Sequence, residues 1–109
     1  MIQHVVFWKI RPDLDKKEAE KAIKDALGAV PGPVKPMQFS PPQPHSHTHG
    51  WDFGFTAYFE SPETLEKYVK SDAHQKVVKE VIDPRVVPDE TGKKGDYLAY
   101  DLQVDDSLL

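Results

Sequence analysis

A chain of 109 residues is the size of a single domain and can bury a real but modest core. Hydrophobic residues at 39% and charged residues at 29% mark a globular rather than a disordered chain, and 18 acids against 14 bases give a net charge of −4, which disfavours a nucleic-acid backbone as partner. With no cysteine there is no disulfide and no thiolate metal site, and no apolar run approaches the ~18 residues of a membrane span. The opening MIQHVVFWKIRP lacks the basic start and long apolar stretch of a secretion signal, so a cytoplasmic protein with no membrane partner is expected.

Residues 2–10, IQHVVFWKI, are β-branched and aromatic and end before Pro12, which predicts a strand. It is apolar on both faces, with Ile2, His4, Val6 and Trp8 on one and Val5 and Phe7 on the other. Residues 15–29 place Ala19, Ala22, Ile23, Ala26 and Leu27 at helical spacing, with Asp13 or Asp15 as cap and Gly28 at the end. Pro31, Gly32 and Pro33 break the chain, and the segment 34–39 reads as an edge strand because Pro36 cannot join a central ladder. A proline-rich loop, 40–50, SPPQPHSHTHG, follows. In WDFGFTAYFE, 51–60, Trp51, Phe53, Phe55, Ala57 and Phe59 alternate with Asp52, Gly54, Thr56 and Tyr58, the clearest strand of the chain.

Ser61 followed by Pro62 is a cap and first-turn proline, opening a helix that buries Leu65, Tyr68 and Val69. SDAH offers a second cap, so the helix restarts near residue 72 and runs through AHQKVVKEVI. Residues 83–95 read as a polar loop, 97–104 as a fourth strand, and DDSLL, 105–109, as a frayed tail. The order β-α-β-β-α-β is the split, ferredoxin-like arrangement, an α+β fold with helices on one sheet face. The other face would expose Val5, Phe7, Tyr58, Leu98, Tyr100 and Leu102, and a second copy of the chain is the simplest cover, hence an expected homodimer through the sheet face.

HVVFWKI at 4–10, AYFESPETLEKYVKSDAHQKV at 57–77 and Asp101 in the last strand resemble the stress-responsive dimeric α/β-barrel (Dabb) domain family, nearly throughout in element order. The resemblance implies a dimeric α+β barrel, one domain over 1–109, with 40–50 as an insertion. The family includes plant stress proteins and a plant polyketide cyclase that closes a poly-β-keto chain by an aldol reaction, without metal or organic cofactor. Its helix histidine and tyrosine match His74 and Tyr68, and its strand-1 pocket histidine matches His4. A further pocket histidine of the cyclase is replaced here by Phe53.

These residue types suit that chemistry. The carbon between two carbonyls is acidic enough for one histidine base, and His74 would serve as that base with Tyr68 as hydrogen-bond donor to the developing oxyanion. Six residues apart on one ideal helix, the two would diverge by roughly 120°, so a break at Ser71 and Asp72 is required. His4 would line the pocket or be a core histidine bonded to backbone. Asp101 can orient a histidine, but pairing with a lysine at the dimer edge is the preferred expectation. Trp8, Phe53, Phe55 and Phe59 would wall the pocket against a small apolar or aromatic ligand.

His45, His47 and His49 alternate in the loop, ~7 Å apart in successive pairs on an extended chain, within reach for metal chelation. No further ligand is spaced for a stable site, so they are weak metal candidates; a polar loop is expected first and a lid over a pocket mouth second. The functional expectation is a small cofactor-free, lyase-type enzyme using acid–base chemistry on a β-keto or phenolic compound. The alternative is a non-catalytic ligand-binding or structural stress-response dimer.

Overall fold

The computed structural model describes residues 1–44 and 46–108. Strand β1 (Ile2–Trp8) leads to helix α1 (Lys16–Gly28), a short strand β2 (Gln38–Ser40), strand β3 (Phe53–Phe59), helices α2 (Pro62–Lys70) and α3 (Asp72–Val77), and strand β4 (Leu98–Gln103). The sheet order is β2-β3-β1-β4 with antiparallel neighbours throughout, the ferredoxin-like α+β fold.

Alternation along the strands decides what each face carries. In β1 the residues Ile2, His4, Val6 and Trp8 are buried towards the helices. Register puts Phe59, Ala57, Phe55 and Phe53 beside them. Helix α1 adds Ala19, Ile23 and Leu27 at intervals of four, so one stripe faces the sheet. Asp15 caps this helix by accepting the Glu18 N–H. Fully burying a side chain such as Ile23, Leu27 or Phe59 contributes ~1.5–3 kcal/mol each.

Ser71 ends α2 and begins α3. Its N–H and its hydroxyl both donate to the Tyr68 carbonyl, at 3.1 and 2.8 Å, while its oxygen accepts the His74 N–H at 3.2 Å. The restart expected near residue 72 is present, but α3 is short and passes into one π turn, Val78–Ile82. There the Asp83 N–H reaches back five residues to the Val78 carbonyl, which accommodates the β-branched run and turns Ile82 into the core.

Two segments differ from their sequence reading. The stretch 83–95 is more than a solvated loop, because Val86 is fully buried and bridges to Ile10, and Val87 donates to the Lys9 carbonyl. Gly95 passes so close to Val86 and Asp83 that a Cβ would collide with Val86. At the start of the tail Asp106 pairs with the Met1 ammonium at 2.9 Å, just beyond Val104, which donates to the Met1 carbonyl; Leu109 lies outside the described residues.

The face away from the helices exposes Phe7, Leu98, Tyr100 and Leu102. Phe7 lies across Gly54, where an added Cβ would stand 2.5 Å from its ring and 2.6 Å from the Val6 carbonyl. Gly54→Ala should therefore lift the Phe7 ring and destabilise the fold by about 1–3 kcal/mol in a urea titration. An unchanged midpoint would mean that the ring leaves the site at no cost.

Candidate active site

Between the sheet and the helices lies a cavity of about 520 Å³. Its floor is apolar, from Val6, Trp8, Leu27, Phe55 and Ile82, all buried. His4, His74 and Asp101 also line it.

His4 enters from the middle of β1. The β1–β4 register sets it directly opposite Asp101, and its Nδ1 lies 2.5 Å from Asp101 Oδ1. An ionised carboxylate only accepts, so Nδ1–H donates, and in the neutral ring Nε2 is left as the acceptor. Phe55 and Phe59 meet the imidazole edge-on, with centroids at 5.6 and 6.0 Å, and fix its plane. Asp101 thus binds His4, in place of the lysine expected of it. Cross-strand register brings the two together, and single-strand periodicity carries no register.

His74 is half-buried on α3 and leans against the Tyr68 ring at 4.7 Å. Burial pushes its pKa below the usual histidine value; a positive charge on His4 acts in the same direction, and a backbone hydrogen bond to Val69 opposes both. The ring is therefore neutral near pH 7 and able to accept a proton.

Tyr68 differs from expectation. It is buried behind His74, its hydroxyl is directed to Met37 Sδ at 3.9 Å, and it is absent from the cavity lining. Loss of hydration pushes its phenol up to about 12. Gly32, at φ 141°, lets the chain pass against its ring.

Of the four expected wall aromatics, Trp8 and Phe55 line this cavity. Phe59 is sealed between His4 and Tyr68, and Phe53 stacks on Trp8 and Phe39. The exposed lining residues Gln75, Lys79, Lys94 and Tyr97 carried no sequence signal as site residues. They reach the cavity through the kink after Ser71 and the tethered 83–95 segment.

The histidine-rich loop lies elsewhere. His47, His49, Trp51, Pro41 and Pro42 stand beside the outer sheet face and border an open cavity of about 590 Å³ with Val5, Phe7 and Leu98. Its described residues border the Phe7 and Leu98 end of that face and not the cavity of His4 and His74, and Tyr100 and Leu102 stay outside their reach. Among the described residues no group of three His, Asp or Glu side chains could hold a metal ion, and His45 lies outside them. Asp52, the nearest acid in sequence, accepts the Ile10 N–H at 2.8 Å and stands 3.8 Å from Lys16 Nζ.

The profile of the stress responsive A/B barrel domain matches residues 2–90. The chain belongs to that family. Solved structures agree on the fold of this A/B barrel protein. A protein from Arabidopsis thaliana aligns at TM-score 0.72 with 19% identity, covering 97% of both chains. A dimeric ferredoxin-like protein from Jannaschia aligns at 0.70 with 20% identity, over 94% of this chain and 98% of the other. Hydroxynitrile lyase from Passiflora edulis aligns at 0.69 with 13% identity, over 96% and 94%. No curated protein matches the A/B barrel chain in sequence. Among the described residues no helix is long and apolar enough to cross a membrane.

The depressed His74 value has a consequence for stability. The unfolded chain takes up the His74 proton near the ordinary value of 6.5, before the folded chain does, so stability is complete above that pH and declines below it. Thermal midpoints measured between about pH 7 and pH 5 should fall for the wild type and fall less for His74→Gln. Parallel pH profiles for the two proteins would remove His74 as the source.

Proposed function

We propose that this A/B barrel protein is a small cofactor-free enzyme that uses acid–base chemistry, of the aldol or lyase kind, on a β-keto or phenolic compound held between sheet and helices. The observation that carries the reading is the meeting of two imidazoles in one largely apolar cavity, one held by a carboxylate and the other depressed by burial. His74 takes a proton from the carbon between two carbonyls. The enolate formed attacks a further carbonyl, several atoms along the same molecule, making the new C–C bond as that C=O π bond opens to an alkoxide, and the alkoxide recovers the proton from the imidazolium. His4, held by Asp101, orients the carbonyl oxygens or shares the proton. Tyr68 supports the His74 ring from behind, and the apolar floor keeps water from the enolate. A hydroxynitrile lyase among the fold neighbours is in keeping with acid–base chemistry on this scaffold.

Exchange of the acidic carbon proton of a β-keto ester for deuterium, followed by NMR, isolates the first step. The wild type should accelerate exchange above buffer, and His74→Ala should lose ~10²–10⁴ of that acceleration while keeping its fold. Tyr68→Phe should lose far less. Absence of any acceleration, with the ester still bound, would favour the binding-protein alternative.

The exposed outer face supports a homodimer through the sheets, and the Jannaschia neighbour is described as dimeric. Phe7, Leu98, Tyr100 and Leu102 form an apolar surface that a second copy would remove from water. Sedimentation at micromolar concentration should return twice the chain mass of 12.4 kDa, and a stable monomer would overturn the assembly.

A further inference from the structure

We infer that the cavity of His4 and His74 is built for an acid: a substrate with an apolar or aromatic body and an anionic end, the anion lying between Lys79 and Lys94. The inference rests on the acid–base reading of the same cavity and specifies its substrate class.

The argument is an accounting of charge. Four charged side chains line the cavity: Lys79, Lys94, Asp83 and Asp101. Both carboxylates are committed within the protein. Asp101 receives His4 Nδ1–H, and Asp83 Oδ1 accepts the Gly95 N–H at 2.9 Å, which ties the 83–95 segment to the end of the π turn. Neither lysine has an ion-pair partner within 4 Å among the described residues. The Lys94 ammonium acts on Asp89 through its longer-range field, and the Lys94 carbonyl accepts the Asp89 N–H at 2.8 Å. The two carboxylates keep their charge, but each is fixed on a donor of the protein itself, whereas the two ammonium groups have no such partner and are the groups free to turn to a ligand.

Position matters as much as number. The buried lining residues are apolar apart from His4, so the floor suits a body without charge. Lys79, on the π turn, and Lys94, on the opposite tethered segment, are exposed and belong to the open side. A molecule entering with its body against Trp8 and Phe55 leaves its trailing end at the lysines, where partial desolvation strengthens a charge pair relative to open water. The same polarity sets a direction, because the reacting carbon must lie deep, near the imidazoles, with the anion outward.

The test uses naphthoate and its neutral counterpart naphthamide, equal in shape and different in charge. Dissociation constants come from NMR titration read at the His4, His74 and Trp8 ring signals, which report occupancy of this cavity alone. Naphthoate should bind the wild type at least ~fivefold more tightly, and the advantage should disappear in the Lys79→Met, Lys94→Met double variant, which keeps the apolar stems. Raising salt should weaken naphthoate and leave naphthamide unchanged. Equal affinities, or an acid preference that survives both substitutions, would overturn the inference while leaving the acid–base reading standing. If neither compound perturbs the histidine signals, both this inference and the reading of the cavity as an aromatic-ligand site fail together.

Discussion

An imidazole taken out of water needs partners for its nitrogens, and in this fold one cross-strand hydrogen bond supplies the decisive one. His4 is buried in the sheet, while its partner Asp101 is on the edge strand β4 with its side chain still reached by solvent. The pairing of β1 with β4 must be in register for the bond to form, and the same register places Ala99 beside Val6 and Leu102 beside Gln3. A slip by one residue would turn Asp101 to the outer face and leave a buried imidazole unpaired, at a cost of ~1–3 kcal/mol. The bond that orients a candidate catalytic ring therefore also specifies how the last strand docks.

From that ring an aromatic line runs to the second imidazole. His4 meets Phe59, Phe59 meets Tyr68 at 4.9 Å, and Tyr68 meets His74. Phe59 and Tyr68 are buried and absent from the cavity lining, and their place is to hold the distance between the two histidines. Packing of this density yields little, so the separation of the two bases is a property of the core itself.

Much of the fold was legible in the sequence because local rules govern it. Alternation along 51–59, the Asp15 and Ser61 caps and the four-residue spacing in α1 each depend on near neighbours in the chain. The kink at Ser71 could be required in advance, since Tyr68 and His74 diverge on a continuous helix. What stayed hidden is set by contacts between distant segments. Nothing near Asp101 in sequence names His4 as its partner, and nothing in 83–95 shows that Val86 is a plug or that Lys94 borders a cavity. Tyr68 was legible as an inward residue, but its rotation towards Met37 is decided by the segment 31–37 that passes over it. His47 and His49 illustrate the converse: these members of a conspicuous motif lie on the other side of the sheet from the two imidazoles that share a cavity.

Ser71 has a consequence beyond joining two helices. With its hydroxyl engaged on both sides and its carbonyl accepting the Gln75 N–H, it works as a mechanical joint held by four hydrogen bonds. Helix α2 is anchored by Leu65 and Tyr68, whereas α3 buries no residue completely. Leverage about the joint therefore falls on the lighter arm, and a small rocking of α3 would carry His74 relative to the fixed His4. Substitutions on the outer side of α3 would in this way change the spacing of the two imidazoles without touching the cavity, on an unchanged sheet.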